Sequence, residues 1–106
     1  MPLTSICDAP GCHAVVTLPV VFCGVHWELL PADLRRALGD AWTPGTKTLA
    51  WRRALADAEA AICEREGNAA GARVARATLA RLDQEAAAAR EAERAKAQDR
   101  VDGGRG

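Results

Sequence analysis

Cys7, Cys12, Cys23 and His26 stand in the spacing C-x4-C-x10-C-x2-H, which gathers three of the four cysteines into twenty residues. No other feature limits the possible folds as much. Thiolates and imidazole are donors that zinc takes in a tetrahedron, and four protein donors make a closed, structural shell. The donors come in two close pairs. Cys23-Gly24-Val25-His26 is a compact turn in which Gly24 lets the chain bend, and in Cys7-Asp8-Ala9-Pro10-Gly11-Cys12 the Pro10-Gly11 step makes the reversal. The ten intervening residues suit a hairpin, with Ala14-Val15-Val16 and Val20-Val21-Phe22 as β-rich runs around a Thr17-Leu18-Pro19 turn. His13 is the alternative to His26 as fourth ligand, although its neighbour Cys12 would then have to chelate from the adjacent position. The expected cofactor is one structural Zn2+ per chain. Cys63, beside Ile62, reads as a small half-buried thiol with no part in the site.

A chain of 106 residues has room for one small domain with appendages. Its 14 basic and 14 acidic residues cancel, which excludes a polycation or an acidic tail as the whole molecule. Leu, Ile, Val and Phe make up under a fifth of the residues, too few for a core along the full length. Most of them, and all three tryptophans, lie before residue 63. The expected organisation is therefore a metal-stapled head over residues 1–62, an Ala/Arg/Glu-rich helical tail over 63–98, and a disordered C-terminus over 99–106. A head of that size needs a staple, because apolar burial alone leaves it marginal. Residues 1–6 lack the cationic start and long apolar run of a secretory signal, and residues 14–22 are too short to span a membrane. The expectation is a cytoplasmic protein without a membrane partner, whose reduced thiols favour metal over disulfides.

Helical signals follow the ligands. Pro31 suits a first helical turn, and Leu34, Leu38, Ala41 and Trp42 then share one face, with Thr43-Pro44-Gly45 as the stop. Thr48 is an expected N-cap, after which Trp51, Leu55, Ala58 and Ile62 form a second stripe. Gly67-Asn68 and Gly71 end or bend that helix. From about residue 72 to 97 the chain again favours helix, with Val74, Thr78 and Leu82, flanked by Ala75 and Leu79, as its packing stripe. That stripe could fold back on the preceding helix or pair with a second chain. The fold class expected is a small α+β zinc finger, a short β-hairpin plus helix, followed by a mainly α-helical region, so that the whole is mostly α.

A ligand-bearing loop, a hairpin and a second ligand pair leading into a helix resemble treble-clef-like zinc fingers. Phe22-Cys23-Gly24-Val25-His26-Trp27, Leu30-Pro31, Leu34-Arg35 and Ala41-Trp42-Thr43-Pro44-Gly45 are similar to segments of small uncharacterised phage and prophage proteins of actinobacteria. The resemblance covers about residues 7–62 and implies a zinc finger without implying an activity. No nucleophile set, phosphate loop or dinucleotide fingerprint accompanies the ligands, so the chain reads as a binding module and not an enzyme. The two partner classes are a protein, engaged through large aromatic anchors, and a nucleic acid, engaged through Arg35, Arg36, Lys47, Arg52 and Arg53. Charge favours the protein. Residues 1–62 hold five basic and six acidic groups, and three thiolates around one divalent ion add a further negative charge, whereas duplex binders show a basic surplus.

Overall fold

The computed structural model describes residues 3–17, 20–43 and 47–103. Two short strands, β1 (Thr4–Ile6) and β2 (Val15–Thr17), pair antiparallel with Ser5 opposite Val16. Four helices follow: α1 (Gly24–Glu28), α2 (Ala32–Ala41), α3 (Leu49–Arg65) and α4 (Ala69–Gly103). A small α+β start leads into a mostly helical molecule, as the sequence implies.

The hairpin itself is shifted from its expected place. The partner of β2 is residues 4–6, upstream of the first cysteine, and not the Val20-Val21-Phe22 run. The hairpin therefore encloses the Cys7–Cys12 loop instead of bridging the two ligand pairs. Phe22 is wholly buried in the core, and Val21 meets the loop through one bond, its carbonyl accepting the Asp8 amide at 2.8 Å. Leu18 and Pro19, expected in the turn, lie outside the described residues, as do Pro44 and Gly45.

Pro31 occupies the N-cap of α2, one position before the first helical residue. Thr48 caps α3 as expected, its hydroxyl accepting the Trp51 amide at 3.1 Å. The Trp42 and Trp51 rings meet edge to face, 5.1 Å apart, and join the ends of α2 and α3.

Helix α3 has two apolar faces where the sequence shows one. Trp51, Ala54, Ala58 and Ile62 belong to the head core, with Cys7, Ala9, Val16, Phe22, Leu30 and Leu38. Ala56, Ala60 and Cys63 are equally buried but lie outside that cluster, on the side where α4 packs. On α4 the buried positions are Ala72, Ala75 and Leu82, with Leu79 partly covered between them. Steps of three, four and three residues make this a heptad-like seam. Val74, placed in the expected stripe, is 68% exposed.

The turn between the helices is set by Gly67, whose φ of +72° lies in the left-handed region that other residues enter only under strain. Asn68 then caps α4 by accepting the Gly71 amide at 2.9 Å. Gly71 is inside α4 and does not break it. A Cβ there would stand 2.7 Å from Cys63 Sγ, so the glycine lets the two helices approach closely. Arg52–Glu85, Arg53–Asp83 and Arg76–Glu64 ion pairs flank the seam. Beyond Leu82 the side chains through Arg100 are exposed apart from a half-covered Ala86. The helix runs to Gly103, because residues 69–103 contain no proline and are rich in helix-favouring Ala, Arg and Glu. Residues 104–106 lie outside the described ones.

Candidate metal centre

The first ligand pair is held by a turn. Cys7 donates its amide to the Ala14 carbonyl at 2.7 Å, closing the loop at the neck of the hairpin. Within the loop, Cys12 donates to the Ala9 carbonyl at 3.0 Å, and Gly11 adopts φ +82°. Those are the marks of a type II turn, with Pro10 fixing the second position and Gly11 supplying the positive φ of the third. Ala9 is buried beneath, which anchors the loop to the core.

The second pair sits at the start of α1. Cys23 is its N-cap, with its carbonyl accepting the Trp27 amide at 2.8 Å, and His26 lies three residues on, above it on the same face. Gly24 takes an ordinary helical conformation in open space, so the bend does not depend on its being glycine. Arg35 fixes the other end of this short helix. Its guanidinium donates to the Trp27 and Glu28 carbonyls at 3.1 and 3.2 Å and lies over the Trp27 ring.

These supports bring the donor atoms of Cys7, Cys12, Cys23 and His26 within 4.8 Å of one another. His26 Nδ1 is 3.6 Å from Cys7 Sγ and 3.1 Å from Cys23 Sγ. A tetrahedral ion with bonds of ~2.3 Å to sulfur and ~2.0 Å to nitrogen separates such donors by about 3.6 Å. The four residues therefore fit a metal ion in both donor chemistry and spacing. His13, the alternative ligand, is exposed and outside the cluster, while Cys63 is buried against α4, away from it.

Burial and close neighbours shift Cys7, Cys23 and His26 from their ordinary values. Burial raises the Cys7 thiol above its ordinary value despite the amide that Cys23 donates to its sulfur at 3.2 Å. Cys23 is pulled down to about 6, chiefly by the backbone of His26. Burial opposes a charged His26, but hydrogen bonds with Cys23 and Glu66 outweigh it and raise its proton affinity. Glu66 is a feature that sequence reasoning missed: its Oε2 stands 3.2 Å from His26 Nε2, across forty residues.

Of the basic residues expected at a partner surface, Arg35 caps α1, and Arg52 and Arg53 are paired with Glu85 and Asp83. Arg36 and Lys47 are exposed. Beside the metal cluster, Phe22, Trp27, Leu38, Trp42 and Trp51 line an open apolar cleft of about 590 Å³. Among the described residues no helix is long and apolar enough to cross a membrane. Comparison with protein-family models, curated proteins and solved structures found no match to the chain.

Proposed function

We propose that the chain is a non-enzymatic, zinc-stabilised binding module whose partner is a protein. The observation that carries this reading is the closed set of three thiols and one imidazole within 4.8 Å. Sulfur-rich tetrahedral four-donor sets suit zinc, and a full shell leaves no position for water or substrate, which is the arrangement of a structural ion.

The protein partner is favoured by what surrounds the ion. The cleft beside it is lined by half-covered Trp27 and Trp42, the residue type most enriched at binding hot spots, with Trp51 buried behind them, and suits an apolar side chain from another protein. Arg35, Arg52 and Arg53 are engaged inside the chain, which leaves two of the five candidate phosphate contacts uncommitted. An accessory role in the cytoplasm, of the kind that the resemblance to phage and prophage proteins suggests, is compatible with such a module.

Two measurements test the reading on the full chain. Elemental analysis should find one zinc per chain, and substoichiometric metal would overturn the site. Titration with random-sequence duplex DNA at physiological salt should give a Kd no tighter than about 10⁻⁵ M. Submicromolar, salt-steep binding that Arg36→Ala weakens would instead assign the surface to nucleic acid.

A further inference from the structure

The contact between His26 and Glu66 has a chemical meaning that depends on which nitrogen faces which group. Nδ1 faces the sulfurs of Cys7 and Cys23, while Nε2 faces the Glu66 carboxylate at 3.2 Å. An imidazole binds an ion through one nitrogen when its proton resides on the other, and a carboxylate accepting that proton's hydrogen bond fixes both tautomer and ring plane. Glu66 is well placed to do so. It is the C-cap residue of α3, held by its own amide bonding to the Ile62 carbonyl at 3.0 Å and by the Gly67 turn that follows. Its side chain is 40% exposed, so the core does not need it. The neighbouring acids are committed elsewhere, Glu64 to Arg76 and Glu59 to Asp8.

We propose that Glu66 is a positioning residue of the metal centre: it holds the His26 proton on Nε2, presents Nδ1 to the ion, and ties the α3–α4 turn to the ligand cluster. This rests on the metal-binding reading above. The helical hairpin is thereby joined to the site through a hydrogen bond to a ligand, in addition to the packing of α3 on the head core.

The test compares wild type, Glu66→Ala, Glu66→Gln and, as a surface control, Glu64→Gln, all as full-length chains. Zinc affinity is measured by competition with a chromophoric chelator, and the Co2+-loaded forms report ligand geometry through their visible absorption. Glu66→Ala should bind zinc about 10–100-fold more weakly and shift the Co2+ bands. Glu66→Gln, whose amide oxygen accepts the same bond, should recover part of that loss, and Glu64→Gln should match wild type. A loss smaller than about tenfold, unshifted bands, no recovery by Gln or an equal loss in the control would each overturn the role of Glu66. Wild type that takes up no zinc would overturn the metal-site reading as well, so the two failures are distinguishable.

Discussion

The head and the helical hairpin solve the same problem, too little large apolar surface, in opposite ways. The head assembles Phe22, Leu30, Leu38, Trp51 and Ile62 from segments scattered over some forty residues and sets beside them four side chains that could hold a metal ion. The hairpin uses small residues in sequence-local register, Ala56, Ala60 and Cys63 against Ala72 and Ala75, with Leu82 and the partly covered Leu79 as its large side chains and three ion pairs along its flanks. Long-range contacts between loops cost much chain entropy for each one made, so the head needs a strong local tie. Helices cost less to order when every residue favours the helix, so the hairpin closes with modest side chains. α3 belongs to both and presents a different face to each.

Metal removal should separate the two regions most sharply. Chelation of the zinc-loaded chain, or Cys23→Ser or His26→Ala, should abolish the near-ultraviolet signal of the tryptophans, because metal affinity in such domains is folding energy. Most of the helical circular dichroism should remain, since the largest helices are α3 and α4. An unchanged near-ultraviolet spectrum after complete chelation would break the comparison.

A smaller effect is expected from Leu82→Ala, which leaves a cavity at a side chain that is 2% exposed. The cost should be about 2–4 kcal/mol and should act on the docking of α4. Denaturant titration should show the 222 nm midpoint falling more than the tryptophan-emission midpoint. Equal shifts would mean that head and hairpin unfold as one unit.

The smallest effect concerns their junction, where Glu59 of α3 meets Asp8 of the ligand loop. Burial, then the hydrogen bond and charge of Asp8, push the Glu59 carboxyl up to about 8. A carboxyl whose pKa is raised by folding stabilises the fold below its ordinary value of 4.5, and that contribution is lost as the pH rises toward 8. Glu59→Gln mimics the protonated form. It should melt later than wild type at pH 8.5, by about 1 kcal/mol once solvent screening of a half-covered group is discounted, with a smaller gap at pH 6.

The clustering of Cys7, Cys12, Cys23 and His26 was legible because thiol and imidazole chemistry leaves few alternatives at that spacing, and the Thr48 cap because its hydroxyl acts within three residues. β1 was not legible: Thr4, Ser5 and Ile6 are all exposed, so no alternation marks them, and the pairing is visible only once the loop has closed. The second face of α3 was hidden because alanine serves equally as a helix former and as a seam residue. Glu66 was hidden for another reason. Its partner lies forty residues away, and acidic residues are too common in such a helix for one to stand out.

All three tryptophans belong to the head, the chain has no tyrosine, and α4 contains no aromatic residue. Trp27 is next to His26, and Trp42 lies against Trp51. The intrinsic fluorophores of the molecule therefore all lie on the head side, with Trp51 of α3 also lining a cavity with Thr78, Arg81 and Leu82 of α4. Emission excited near 295 nm reports on the head and, through Trp51, on the near end of the α4 seam, whereas α4 itself contributes only amide absorption. A chromophore attached near the end of α4 would receive energy from donors confined to one end of the molecule, so transfer efficiency would read the undocking of that helix without any engineered donor.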